Sequence, residues 1–299
     1  MTNKLLRATV LNLCLASVAM TAMAQSSPTL KKIADNGTIG LGHRESSIPF
    51  SYYDDKQQVV GYSHELMLKV VDAIKAELKK PSLAIKLVPV TSQNRIPLVL
   101  NGTVDLECGS TTNNKERAKQ VDFSTTIFIV GTRLMTRKDS GIKDFADLKG
   151  KNVVVTAGTT SERLLRKFNE ESKSGMSIIS AKDHGESFLT LETGRAAAFM
   201  LDDALLYGEK AKAKKPDDWV VVGKPMSFEP YGCMMRKGDP VFEKLVDGAL
   251  TKAMTSGEAA KIYAKWFQQP IPPKGLNLNW PLSETNAALF KAPNDKTMD

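Results

Sequence analysis

Between Thr91 and Arg117 the chain reads TSQNRIPLVLNGTVDLECGSTTNNKER. Two turns rich in hydroxyl and amide side chains each lead to an arginine. Ser92 and Asn94 stand beside Arg95, and Ser110, Thr112 and Asn113 precede Arg117. The stretch reads as a strand end, a helix start, a second strand and a second helix start. A helix N-terminus offers unpaired backbone N–H groups and a partial positive charge, so it favours anions. Two such ends with two guanidiniums suit a ligand bearing two negative groups. An arginine in a first turn opposes the helix dipole, and such local inconsistencies tend to mark function. Plain capping with a solvated arginine explains either turn alone; two in succession favour a site.

Three further residues stand where an α/β sheet presents ligands, at or beside strand ends. Arg44 directly follows a strand over Thr38 to Leu41; a surface loop arginine is the competing reading. His184 falls in a helix first turn, where an exposed or capping role competes. Asp202 ends a strand and could equally be the N-cap of the next helix, with Asp203 as an alternative contact. Gly40-x-Gly42 lacks the third glycine and opens no helix, so a dinucleotide loop is rejected. No close Cys/His spacing supports a metal, and no nucleophile motif of the G-x-S-x-G or Cys-His kind is present.

The elements that must position these residues form two similar α/β blocks. The 299 residues, 42% hydrophobic and 25% charged, are enough for two modest cores. Residues 1–24 read as a secretory leader: Lys4 and Arg7, an apolar run from Ala8 to Met20, then Ala22-Met23-Ala24 as a cleavage signal. The run is short for a membrane anchor, and Leu13 before Cys14 does not suit lipidation. Losing Lys4 and Arg7 lowers the formal charge from +8 to +6. The remaining bases are spread, apart from KAKAKK at 210–215, which reads as a solvated helix end. Nucleic acid is therefore not an expected partner. Cleavage leaves Cys108 and Cys233; an even pair in an exported protein favours a disulfide over two buried thiols.

Leu66, Met67, Val70, Val71, Ile74 and Leu78 recur at helical spacing, predicting a helix over 63–80 that Pro81 stops. A strand over 85–90 completes a β-α-β unit. Pro97 places the next helix start near 92–94. Asn113 with Glu116 resembles a capping box. A long extended run over 122–135 could cross between the blocks. From Asn152 the layout repeats: a strand over 153–155, a Thr159/Glu162 capping box, a strand over 176–180, an Asp183/Glu186 capping box and a strand over 197–201. A strand over 219–222 follows. Gly232 to Arg236 could return to the first block. Two amphipathic helices and a Pro- and Asn-rich tail, packed on the first block, complete the chain.

The phrases GHRESSIPFSYYD, TSQNRIPL, LECGSTTNNKER, KDHGESF and SGEAAKIYAKWF resemble those of family-3 periplasmic amino-acid-binding proteins of ABC importers, in particular the members specific for glutamate and aspartate. The resemblance covers essentially the whole mature chain. It implies a type II two-lobed fold, with each lobe a mixed sheet flanked by helices and two crossing strands between them. Lobe 1 would comprise 25–129 plus 232–299, and lobe 2 would comprise 130–231. Hinge closure would trap the ligand. By resemblance, Arg117 would clamp the α-carboxylate with Ser110, Thr112 and Thr160. Asp202 would take the α-ammonium, while Arg44, Ser92, Arg95 and His184 would hold the side-chain carboxylate. The implied partners are L-glutamate or L-aspartate and the transmembrane subunits of an ABC permease. A periplasmic monomer without cofactor or metal is expected.

The charges agree with those roles. Three arginines and one aspartate leave an excess of two, and an acidic amino acid brings one net negative charge. A neutral ligand would leave Arg44 and Arg95 buried without a partner, at a cost of several kcal/mol. Two readings of other classes compete. One is a dehydratase on the same fold, with His184 as the acid–base group. The other is the sensory half of a receptor, against which stands the absence of a transmembrane segment after the binding lobes.

Overall fold

A computed structural model describes residues 26–297; the expected leader and its cleavage site lie outside the described residues. The first half runs α1 (Pro28–Asn36), β1 (Thr38–His43), β2 (Ser46–Ser47), β3 (Ser51–Tyr53), β4 (Val59–Val60), α2 (Tyr62–Glu77), β5 (Ala84–Pro89), α3 (Arg95–Leu100) and β6 (Leu106–Glu107). The long strand β7 (Val121–Arg137) leads onward. The second half follows with β8 (Asn152–Thr156), α4 (Thr160–Glu171), β9 (Ser177–Ala181), α5 (His184–Glu192), β10 (Ala198–Asp202), α6 (Asp203–Lys212) and β11 (Trp219–Val222). The strand β12 (Phe228–Arg236) returns. Helices α7 (Pro240–Thr255), α8 (Glu258–Phe267) and α9 (Glu284–Lys291) complete the chain.

Strand order is β5-β1-β6-β12-β7-β10-β8-β9, with β11 also on β7. β1 is parallel to β5 and β6, and β8 is parallel to β9 and β10, as expected of helical crossovers. β7 and β12 pair antiparallel from Phe228↔Gly131 to Arg236↔Val121. Beyond Gly131, β7 pairs with β10 through Asp202↔Thr132. The two strands are thus the sheet's passage between its halves. Strand ends from both halves converge on that passage, which is where the charged side chains gather.

Aromatic packing anchors the passage in the first half. Phe128 of β7 stacks on Phe267 of α8 at 5.0 Å, and Phe50 meets Tyr231 of β12 edge-on at 5.2 Å. Cys108 and Cys233 form a disulfide joining the chain just after β6 to β12. The outer edge of β7 is closed by a side chain. Asn286 of α9 accepts from the Ile129 N–H at 2.8 Å and donates to its carbonyl at 3.0 Å, as a neighbouring strand would.

Several expectations need correction. α2 ends at Glu77, ahead of Pro81, and Lys79 takes a left-handed φ of 52°. Asn113 and Glu116 form no capping box. The Asn113 N–H is spent on the Pro230 carbonyl at 2.8 Å, which draws this segment onto β12. Only a 3-10 turn, Arg117–Lys119, follows, and the Arg117 N–H donates to Asn114 Oδ1 at 2.9 Å. The tail also contains α9, capped by Ser283, which its Pro- and Asn-rich flanks conceal in the sequence.

Candidate functional site

Arg44, Ser92, Arg95, Ser110, Thr112, Arg117, Thr160, His184 and Asp202 are all buried. Burial excludes the solvated-arginine and exposed-histidine readings, since a guanidinium is rarely buried without a partner. Arg44 and Arg95 are each 1% exposed.

Arg44 follows β1 directly, and its N–H donates to Ser51 Oγ at 2.9 Å. Its Nη1 lies 3.4 Å from Ser110 Oγ. Arg95 opens α3, and its Nη1 donates to the Ser110 carbonyl at 3.2 Å and to Thr111 Oγ1 at 2.5 Å. Arg117 donates through Nη1 to the Thr112 carbonyl at 3.0 Å. Through Nη2 it reaches across to Gly158, before α4, at 3.2 Å. The turn 109–112 therefore contacts all three arginines. A cavity of about 500 Å³ borders Arg117 and Thr160; Arg44, Arg95 and His184 do not line it.

The second half supplies His184 and Asp202. Asp183 caps α5 by accepting from the Glu186 N–H at 2.9 Å, which frees the neighbouring His184 to face the arginines. His184 Nδ1 lies 2.8 Å from Thr156 Oγ1. Asp202 occupies the N-cap position of α6, yet its side chain makes no capping bond. It accepts instead from Tyr231 OH on β12, and from Thr132 Oγ1 and Ser161 Oγ at 3.4 Å each. Asp203 is committed to backbone, accepting from Gly131 N at 3.2 Å and Ala204 N at 2.8 Å. Asp203 thus engages backbone through Oδ1, while Asp202 accepts from side-chain hydroxyls.

Electrostatics set the character of the site. Burial, then the Arg95 charge, pulls the Arg44 guanidinium down to about 10 and that of Arg117 to about 9. Burial lowers Arg95 as well. All three stay positive at neutral pH and press for an anion. His184 is driven well below its usual value by burial, then by Arg44 and Arg95, and is neutral. Burial, then Glu229, raises Asp202 to about 7. Ser92 Oγ, Arg95 Nε and His184 Nε2 are buried with no hydrogen-bond partner among the described residues. Buried polar atoms normally find partners, so these three donor or acceptor sites fit a polar ligand.

Sequence reasoning missed Glu107, Thr111, Tyr231 and Glu229. Asp105 and Glu107 alternate with apolar residues along the chain, and both are buried. The signal available was the crowding of two acids into a short strand between two arginines.

The model of the bacterial extracellular solute-binding proteins, family 3, matches residues 39–269. The "Glutamate/aspartate import solute-binding protein" of Salmonella typhimurium is 66% identical over 271 residues, covering 91% of this chain and 90% of that protein. The "L-glutamate/L-aspartate-binding protein" of Pseudomonas aeruginosa is 64% identical over 294 residues, covering 95% and 97%. Among solved structures, a mutant of ArgBP from T. maritima superposes with a TM-score of 0.71 at 28% identity, covering 80% of this chain and 98% of that one.

Proposed function

We propose that this chain, which belongs to the bacterial extracellular solute-binding proteins of family 3, captures L-glutamate and L-aspartate outside the cytoplasm and delivers them to an ABC permease. The chain is read as two lobes, 25–129 plus 232–299 and 130–231, closing on the ligand by bending within β7 and β12. Export follows cleavage after Ala24, releasing a periplasmic monomer.

The observation that carries this reading is the convergence of three buried guanidiniums and one buried carboxylate from both halves. Arg117 clamps the α-carboxylate, helped by Ser110, Thr112 and Thr160 at the first turn of α4. Asp202 receives the α-ammonium. Arg44, Arg95, Ser92 and His184 hold the side-chain carboxylate, with Ser92 Oγ, Arg95 Nε and His184 Nε2 as the atoms awaiting a partner. Guanidiniums suit this task because their planar fork matches a carboxylate. A ligand with an amide side chain would leave buried positive charge uncompensated.

A dehydratase reading is disfavoured because the relatives at 66% and 64% identity bear the names of binding proteins. Among the described residues no helix is long and apolar enough to cross a membrane.

Three substitutions test the division of roles by calorimetry. Arg117→Ala should abolish binding of every amino acid. Arg44→Ala and Arg95→Ala should each weaken glutamate and aspartate by about 2–5 kcal/mol, the cost of breaking a buried charge pair, with little change for weakly bound neutral amino acids. Equal losses for all ligands in all three variants would sink the assignment.

A further inference from the structure

The motif LECGSTTNN contains a buried carboxylate that the ligand contacts leave unused. Glu107, at the end of β6, is 0% exposed. Its Oε2 accepts from Thr111 Oγ1 at 2.6 Å, and that same hydroxyl accepts from Arg95 Nη1. A threonine hydroxyl has one proton, so receiving from Arg95 obliges it to donate to Glu107. The other oxygen, Oε1, has no hydrogen-bond partner among the described residues.

Two glycines make room for this carboxylate. A Cβ on Gly42 would stand 2.9 Å from Glu107 Cγ, and one on Gly109 would stand 2.5 Å from Glu107 Oε1. The same Gly109 position lies 2.9 Å from Arg44 Cγ, so Glu107 and the stem of Arg44 flank one glycine. Gly42, set aside above as part of a dinucleotide loop, thus serves close packing against β6.

The geometry assigns Glu107 as an internal counter-ion that competes with the ligand's side-chain carboxylate for Arg44 and Arg95. This rests on the proposed carboxylate role of those two arginines. Two positive charges less one leave an excess of one at that end of the site, the match for a single carboxylate. The Glu107 charge also opposes the downward pull of burial on both guanidiniums. Ligand-free protein therefore keeps its arginines partly compensated, and bound ligand is repelled enough to be released to a permease. Glu107 is a positioning and affinity-setting residue that acts on the ligand through the arginines and Thr111.

The test compares wild type, Glu107→Gln, Arg95→Gln and the double variant, by thermal unfolding without ligand and by calorimetry with L-glutamate and L-glutamine. The glutamine side chain retains an acceptor for Thr111, removes the charge and replaces the unpartnered oxygen with an NH2 donor. Glu107→Gln should lower ligand-free Tm. It should tighten glutamate about 3–10-fold, as expected for one charge acting across screened protein, and raise the glutamate-to-glutamine affinity ratio. The double variant should be more stable without ligand than Glu107→Gln alone, because the uncompensated guanidinium is gone. Weaker glutamate binding with an unchanged ratio in a folded Glu107→Gln variant would overturn the proposal. So would a double variant no more stable than that single variant. If Glu107→Gln does not fold, a folded double variant supports the counter-ion role and an unfolded one refutes it. The ligand-free comparison does not depend on which amino acid is bound. Failure of wild type to bind glutamate would instead defeat the functional reading.

Discussion

Asp202 occupies a helix N-cap position without capping its helix. Its raised value, about 7, is caused first by burial and then by Glu229. A bound α-ammonium would favour the charged form, so binding near pH 7 should release a proton. Calorimetry in buffers of different ionisation enthalpy reads that release directly, and affinity should fall as pH drops from 8 to 6. The ligand-free protein shows the opposite trend for this group. Between its ordinary 3.8 and about 7 the folded state keeps a proton that the unfolded state loses. This contribution to stability is therefore lost as pH rises through that window. Asp202→Asn should remove the stability trend and weaken glutamate by at least about 2 kcal/mol. Binding without proton exchange at pH 7 would contradict the role given to Asp202. Arg95 and Arg117 stood out in sequence because each sits in a turn where its charge is locally out of place, whereas His184 was singled out by the family resemblance, its turn alone being open to an exposed or capping role. Glu107, Glu229 and Tyr231 were not, because a buried acid or phenol on a strand matters through neighbours distant in the chain. Tyr231 meets Asp202 only once β12 has returned beside β7.

Among the elements, β7 and β12 join the halves and are held at fixed points. The disulfide between Cys108 and Cys233 closes a separation of 125 residues. In a chain-entropy description a loop of that length contributes about 4–5 kcal/mol. Reduction should therefore lower Tm by on the order of 10 °C, and the unfolded, unreduced mature protein should show no free thiol. A drop of only a degree or two would show that the bond constrains little. The α9 clamp is a second fixed point: Asn286 satisfies both backbone groups of Ile129. Asn286→Ala leaves them without that partner and should cost about 1–3 kcal/mol in urea unfolding. Several elements were readable in advance: β7 as a long extended run, α4 from its Thr159 cap and α7 from its amphipathic pattern. The capping box at Asn113 was misread because the competing bond, to the Pro230 carbonyl, comes from over a hundred residues away. The helix α9 was missed because its amphipathic pattern is short and its flanks carry turn residues.

At the scale of the whole molecule, the two halves meet where bulk is absent. A Cβ on Gly208 of α6 would stand 2.3 Å from the Ile48 carbonyl oxygen, and one on Gly158 would stand 2.8 Å from Gln93 Cγ. Ser46 Oγ and Asp183 Oδ1 lie 3.4 Å apart across the same junction. Contacts this close to backbone cannot yield without separating the halves. Gly208→Ala should therefore weaken glutamate at least about tenfold while leaving ligand-free Tm almost unchanged, because an opened molecule escapes the clash. An equal loss of ligand-free stability would mean that the halves do not separate. The central claim is that the charges of the whole cleft select an acidic amino acid. Titration calorimetry of the mature protein with glutamate, aspartate, glutamine and asparagine tests it most directly. The account expects tight binding of glutamate and aspartate and at least about 100-fold weaker binding of the two amides. Tight binding of glutamine with none of glutamate would contradict it.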